Sequence, residues 1–152
     1  MSFITIDPGL NKHTGYAIFR TFLEPHETGI IPVSSEHGWK IQSHLIAKEI
    51  NELLSKPVFC FDINEAFIEI PDRWDGKGSV ENILKLSFLC GSIYHAMMKR
   101  LLIKVSLIKP REWKGQMNKQ IVDKRIYKAI GKKYSEHISD AVGIGLWVKG
   151  QL

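Results

Sequence analysis

Three carboxylates lie where burial would normally favour apolar side chains. Asp7 directly follows the apolar segment 3–6, and Glu69 lies within the strand-like segment 66–70. Asp140 lies in the first two turns of a predicted helix that is otherwise rich in small and apolar residues. A buried carboxylate costs free energy unless it is paired. A divalent cation stabilises clustered carboxylates and lowers their pKa values, and oxygen ligands of this kind suit Mg²⁺ or Mn²⁺.

Such a cluster could support phosphoryl chemistry. A pair of divalent ions about 3.5–4 Å apart clamps the attacking and leaving oxygens of an in-line phosphoryl displacement. His137 lies three residues before Asp140, so the two side chains share a helix face. This spacing fits a metal ligand or a residue that positions water, although a lone helical histidine is usually a surface or packing residue. A single acid of this kind is usually an N-cap or a salt-bridge partner, whereas three on neighbouring segments favour a metal site.

Other acids lie near the second carboxylate and compete with it. Asp62 and Glu65 precede the strand-like segment, and Asp72 and Asp75 follow it. Glu69 ranks above them because strand-forming apolar residues flank it on both sides. Acids in polar loops are expected to be solvated or to stabilise turns.

The elements that must position these residues follow from hydrophobic periodicity. An apolar pair of strands around the loop 8–13 predicts a hairpin. Five strands are predicted, over residues 3–6, 14–20, 29–33, 66–70 and 105–108. Helices are predicted over residues 39–54, 79–100, 118–130 and 136–148, with a short turn around Trp113. This order predicts an α/β layered domain with a mixed sheet.

Composition predicts a single domain over residues 1–152 with a phosphate-bearing partner. The chain has 152 residues, no low-complexity tract, a net charge of +5 and a pI of about 9.2. Between Lys99 and Lys133 there are twelve Lys and Arg residues but only two acids, Glu112 and Asp123. A basic region attracts nucleic-acid phosphates without regard to base sequence.

The remaining composition favours a cytoplasmic protein without a membrane partner. The sequence has no apolar stretch long enough to span a bilayer and no secretory signal pattern. Cys60 and Cys90 lie in hydrophobic surroundings and are predicted to be reduced core thiols. Zinc-ligand spacing of Cys and His is absent.

The ordered motifs resemble the RuvC family of Holliday junction resolvases, especially its compact phage members. Residues 4–10 (Ile-Thr-Ile-Asp-Pro-Gly-Leu) and 14–18 (Thr-Gly-Tyr-Ala-Ile) are similar to the family's first hairpin. Glu69 matches its second acid, and residues 82–91 look like its long helix. Residues 105–114 resemble its strand and Pro-x-x-x-Lys turn, and His137-Ile-Ser-Asp140-Ala-Val its closing helix.

The resemblance implies a ribonuclease-H-like mixed five-stranded sheet flanked by helices. It also implies a homodimer that makes paired symmetric nicks across a four-way DNA junction with two Mg²⁺ ions, for which Mn²⁺ substitutes, in a bacterial or phage-infected cell. By the same resemblance Asp7 bridges both metals, Glu69 and Asp140 complete the ligands, and His137 is the fourth site residue. Lys114 and Lys119 match basic positions near the scissile phosphate, although the segment between them is shorter than in the bacterial form.

Further DNA contacts are predicted from the basic residues around these motifs. Lys109 and Arg111 join Lys114 and Lys119 as candidate DNA-binding residues. The polar loop after Glu69 adds three more, Arg73, Trp74 and Lys77. An exposed tryptophan in this loop could stack on DNA bases, or it could instead fold back and cap the core.

Two readings of function other than junction cleavage stay open. One is a nuclease of the same fold that acts on other branched DNA or on RNA. The other is a non-catalytic DNA-binding module, which explains the charge but not the three carboxylates Asp7, Glu69 and Asp140. The helix 79–100 carries more apolar residues than one face needs, so part of it is predicted to pack on a second copy; the residues concerned are Leu86, Phe88, Leu89 and Ile93.

Overall fold

A five-stranded mixed sheet forms the centre of the molecule. The computed structural model describes residues 2–57, 63–72, 79–100 and 103–152. Within these residues the strands are β1 (Ser2–Asp7), β2 (Gly15–Phe19), β3 (Glu27–Ile30), β4 (Ile63–Glu69) and β5 (Lys104–Ile108). Their spatial order is β3-β2-β1-β4-β5. Strands β1, β2 and β3 pair antiparallel, whereas β4 and β5 continue parallel to β1, so the predicted hairpin and mixed sheet are confirmed.

Helices cover both faces of this sheet. The described residues form α1 (Trp39–Ser55), α2 (Val80–Met98), α3 (Pro110–Trp113), α4 (Lys119–Ile130) and α5 (Glu136–Val148). Side-chain caps fix two of the starts: Ser79 accepts from the Asn82 N–H, and Asn118 accepts from the Ile121 N–H. Helix α4 ends at Gly131, whose φ of 70° is a left-handed conformation that glycine adopts without strain. None of the helices in these residues is long and apolar enough to span a membrane.

The alternation of side chains along β1 separates two cores. Ile4 and Ile6 are buried in the core on the side of α1 and α2. Phe3 is buried in the core on the side of α4 and α5. Because successive strand residues point to opposite faces, Asp7 lies on the same face as Phe3 and Thr5. Phe67 packs in the α4 and α5 core, so Glu69 also lies on this face.

Strands β3 and β4 begin earlier than their sequence patterns predicted. β3 was predicted over residues 29–33, but it pairs with β2 from Glu27 to Ile30. The predicted range included Ile31 and Val33 because they are apolar. Both are buried, but they lie beyond the end of the strand. β4 begins at Ile63 rather than at residue 66, because pairing with β1 extends to Ser2. β4 also ends at Glu69, which is therefore the last residue of the strand rather than an interior one.

Two contacts hold the start of α5 against the sheet. The buried Thr5 hydroxyl lies 2.7 Å from the Ala141 carbonyl oxygen and donates to it. A Cβ on Gly15 would lie 2.2 Å from the His137 carbonyl oxygen, so only glycine permits the helix to approach this closely. The backbone of α5 is thereby fixed at His137 and Ala141, three residues before and one residue after Asp140.

Candidate active site

Asp7 and Glu69 lie side by side at one edge of the sheet. The parallel register pairs Ile6 with Ile68, and the next residue of each strand is the carboxylate. Both side chains point to the face that α5 covers. Both are largely shielded from solvent, with side-chain exposures of 12% and 13%. The register therefore places two acids together that are far apart in the sequence.

Helix α5 brings His137 and Asp140 over these strand ends. The Nδ1 atom of His137 lies 2.9 Å from Asp7 Oδ2. Asp140 follows one turn later on the same helix face, and its side chain is 16% exposed. Four predicted site residues from β1, β4 and α5 thus share one side of the sheet edge.

Two lysines complete this group of charges. Lys114, which directly follows α3, places its Nζ 3.5 Å from Asp140 Oδ2 and 3.9 Å from Glu69 Oε1. Lys119, the first residue of α4, places its Nζ 2.9 Å from Asp140 Oδ1. The two predicted phosphate-site lysines are therefore held against the acids. They provide positive charge beside the carboxylates where a phosphate would have to bind.

Trp113 is a site residue that the sequence reasoning missed. It is 3% exposed, and its indole N–H donates to Glu69 Oε2 at 2.5 Å. A buried indole N–H requires an acceptor, and the Trp precedes Lys114 directly. A tryptophan directly before a predicted phosphate-site lysine was therefore the sequence signal for a residue that contacts the acids. The hydrogen bond orients the Glu69 carboxylate toward the other acids.

His13 is the second residue that was missed. Its Nδ1 lies 2.9 Å from His137 Nε2, so both ring nitrogens of His137 have protein partners. His13 ends the loop that follows Asp7. In that loop Asn11 and Lys12 both have positive φ, at 57° and 65°. A histidine in a loop next to a candidate ligand was the signal for this contact.

The carboxylates act on one another electrostatically. Burial raises the pKa of Asp7; the neighbouring Asp140 charge raises it further, and His137 and Lys114 oppose the shift. Burial, followed by the charge of Asp7, raises the pKa of Glu69 to about 7, although Lys114 and Trp113 oppose it. The hydrogen bond to Asp7 raises the pKa of His137. The acids therefore form one cluster that carries more negative charge than its surroundings stabilise.

The donor chemistry of this cluster fits a divalent cation. Three carboxylates offer the hard oxygen ligands that Mg²⁺ and Mn²⁺ prefer, and the raised pKa values of Asp7 and Glu69 are of the kind that a bound cation reverses. Among the described residues, no three such side chains already stand close enough around one point to hold an ion. Lys114, Lys119, Trp113 and His137 contact the carboxylate oxygens instead. Metal binding at these acids must displace part of those contacts.

Of the remaining predicted DNA-binding residues, the structure describes Lys109 and Arg111 but not residues 73, 74 and 77. Arg111 lies on the short helix α3 and Lys109 directly precedes that helix, next to the edge that carries Glu69. Arg111 Nε lies 3.1 Å from Asp72 Oδ2, an ion pair without hydrogen-bond geometry, so this loop acid is paired within the chain. Residues 73, 74 and 77 lie outside the described residues, as do Asp62 and Asp75. Cys90 is buried, as predicted, whereas Cys60 is also outside the described residues.

Comparison with known proteins identifies the fold class. No protein-family model and no curated protein matches the sequence. The chain does match a Thermus thermophilus RuvC structure with a TM-score of 0.72 and 15% identity, covering 99% of this chain and 98% of that chain. It also matches T. thermophilus RuvC in complex with Holliday junction substrate, with a TM-score of 0.75 and 18% identity, over 96% of this chain and 91% of that chain. The chain therefore has the ribonuclease-H-like α/β fold of RuvC, as its motifs indicated.

Proposed function

We propose that this protein is a structure-specific endonuclease that resolves four-way DNA junctions by paired symmetric nicks. The observation that carries the proposal is the convergence of Asp7, Glu69 and Asp140 on one sheet edge, with Lys114 and Lys119 against the same carboxylates. The fold likeness to a RuvC structure determined with a Holliday junction substrate supports the choice of substrate.

The proposed chemistry is hydrolysis of a phosphodiester with two Mg²⁺ ions. Asp7, Glu69 and Asp140 would hold the metal, which supplies Lewis-acid stabilisation and a nucleophilic water. The ammonium groups of Lys114 and Lys119 could leave the carboxylates and form ion pairs with a bound phosphate. His137 is oriented by Asp7 on one ring nitrogen and by His13 on the other. It therefore serves either as a ligand or as a group that positions water, and the first role requires that one of these contacts break.

Outside the acid cluster, we expect DNA to contact basic residues at α3 and the loop that follows Glu69. Lys109 and Arg111 extend the positive surface along α3, beside the edge where the acids lie. Such contacts position a nucleic-acid backbone without reading its sequence. Arg73, Trp74 and Lys77 remain candidates from the sequence for contacts at the junction centre.

A homodimer through α2 is part of the proposal. Of the four residues predicted for that contact, Leu89 and Ile93 are buried in the chain's own core, and Leu86 packs against it. That part of the expectation is wrong. Phe88, the fourth of the predicted residues, is exposed, as are Val80, Leu84, Tyr94 and Met98 of α2. Val80, Leu84, Tyr94 and Met98 recur at the spacing of one helical stripe, and Gly91 in the same stripe leaves open space for close packing of a second α2.

Cleavage of a synthetic four-way junction tests the function. In Mg²⁺ the protein should cut the junction at symmetric positions and leave a linear duplex of the same sequence intact. A panel of replication forks, flaps and structured RNA separates junction resolution from the other nuclease activities that the sequence leaves open. Binding without cleavage of any substrate in Mg²⁺ or Mn²⁺ would instead establish a non-catalytic DNA-binding module.

A further inference from the structure

A cavity of about 550 Å³ lies beside the acid cluster and is not used by the proposed chemistry. It is bounded by α4, by the connection from α4 to α5 and by Ser139 of α5. Its volume is within the range of about 300–1,000 Å³ that is usual for small-ligand sites. Three lysines and two tyrosines contribute to its wall, namely Lys124, Tyr127, Lys132, Lys133 and Tyr134.

The lining combines an aromatic surface with free positive charge. Tyr127 is 52% exposed, and Lys133 Nζ lies 5.8 Å from the centre of its ring. Lys132 is held in an ion pair with Glu24. In the part of the chain that the structure describes, no carboxylate pairs with Lys124 or Lys133. An aromatic face next to unpaired lysines suits a ligand that has both a flat ring and a phosphate.

Among the described residues that line the cavity, Asp123 is the only acid, and its charge is already compensated. Asp123 Oδ1 accepts from the Ser139 hydroxyl at 2.5 Å and lies 3.4 Å from Lys119 Nζ. The same Lys119 Nζ lies 2.9 Å from Asp140 Oδ1. Lys119 therefore bridges Asp123 of the cavity wall and Asp140 of the acid cluster. A strand whose phosphate lies at the cluster could reach the cavity within a nucleotide or two.

We propose that this cavity binds one nucleotide of the DNA strand that passes through the acid cluster. Its base stacks on Tyr127, and its phosphate lies between Lys124 and Lys133. The site would hold an unstacked nucleotide next to the scissile phosphate without reading the identity of the base. The inference rests on the proposed function, since it assigns a subsite to the same substrate.

Short oligonucleotides test the subsite separately from catalysis. The probes are a six-nucleotide dT strand and an abasic strand of the same length and charge, with binding measured by fluorescence anisotropy in EDTA. Wild type should prefer the dT strand, because base–aromatic stacking corresponds to about 5- to 150-fold in affinity. Tyr127→Leu should abolish this preference, and Tyr127→Phe, which keeps the ring, should restore it. Tyr127 is exposed, so these variants should fold normally.

A lysine variant provides a second, independent test in the same binding assay. Lys133→Gln should weaken both probes and reduce the salt dependence of binding, because it removes a phosphate contact. Lys48→Gln is the matched control, since Lys48 lies on α1 and pairs with Glu52. It should leave both probes unaffected.

The outcomes separate this inference from the proposed function. If wild type cleaves junctions but shows no preference for the dT strand, or keeps the preference in Tyr127→Leu, the cavity is not a nucleotide subsite. If Tyr127→Phe loses as much affinity as Tyr127→Leu, stacking is not the cause. A clear base preference without junction cleavage would support the subsite and contradict the proposed substrate.

Discussion

Protonation of Glu69 should control metal binding. Its pKa is raised to about 7, first by burial and then by the charge of Asp7. A metal ion binds the carboxylate form, so binding must release the proton that Glu69 holds. With this pKa, about 90% of Glu69 is protonated at pH 6 and about 10% at pH 8. Mg²⁺ binding should therefore release about one proton at pH 6, and this group alone should weaken the affinity about tenfold between pH 8 and pH 6.

The same shift makes the metal-free protein less stable as pH rises. The folded-state pKa of Glu69 lies above its ordinary value of 4.5, so the folded protein holds this proton more tightly than the unfolded chain. The contribution to stability is complete below pH 4.5 and is lost as pH rises through 7; it amounts to about 3 kcal/mol. The pKa values of Asp7 and His137 are also raised, so both act in the same direction, each over its own pH window.

Calorimetry and thermal unfolding test this reasoning. Mg²⁺ titrations in two buffers of different ionisation enthalpy give the number of protons released at pH 6 and at pH 8. Unfolding in EDTA should show a falling midpoint over this range, and Mg²⁺ should restore it most at pH 8. Glu69→Gln keeps an acceptor for Trp113 but has no proton to release. It should be more stable than wild type in EDTA at pH 8 and similar at pH 4.5.

Two results would refute the argument. The first is proton release near zero at pH 6 in wild type, which would mean that Glu69 is already ionised. The second is an unfolding midpoint of Glu69→Gln in EDTA that changes with pH as steeply as that of wild type. Because the second measurement needs no metal, it remains decisive if the variant binds Mg²⁺ too weakly for calorimetry.

Four further predictions concern cleavage and assembly. Asp7→Asn should abolish junction cleavage while gel-shift binding stays intact or tightens, because a metal ligand and a negative charge near phosphate are lost; an active variant would contradict the metal proposal. His13→Ala should slow single-turnover cleavage about fivefold through loss of the hydrogen bond that orients His137, with an unchanged melting temperature, and an unchanged rate would exclude this positioning role. Leu84→Glu should convert a sedimenting dimer at micromolar concentration to a monomer, since a charge would be buried in the α2 contact, and a persistent dimer would place the interface elsewhere. Trp74→Ala should slow cleavage far more than it lowers the melting temperature, whereas a variant that unfolds readily yet cleaves normally would make Trp74 a core residue.

The acids could be found from the sequence because each carries a local signal. A carboxylate within or just after an apolar strand is unusual wherever the strand lies in the fold. Their arrangement could not be found in this way. It depends on the parallel register of β1 with β4, which places Glu69 beside Asp7 across more than sixty residues of chain. Trp113 and His13 were missed for the same reason, because their partners lie 44 and 124 residues away.

Hydrophobic periodicity also predicted the extent of α2, but it did not predict which face of the helix packs on the sheet. An excess of apolar positions indicates that a helix has more than one buried side, without indicating which residues pack on the sheet. The structure places Leu89 and Ile93 in the core, whereas Leu84 is 64% exposed. The candidate dimer surface is therefore a different stripe of the same helix, a distinction that requires the helix to be docked on the sheet.

The site depends on backbone packing to hold like charges together. The charge of Asp140 raises the pKa of Asp7, so the interaction between these two side chains opposes the arrangement. Lys114 and Lys119 offset this repulsion, but in the proposed reaction a DNA phosphate would draw them away. The Thr5 hydrogen bond to Ala141 and the close approach at Gly15 involve neither lysine. Because these contacts fix α5 against β1 and β2, the carboxylates should stay in place when the lysines change partner, and the repulsion between them then favours the binding of a cation.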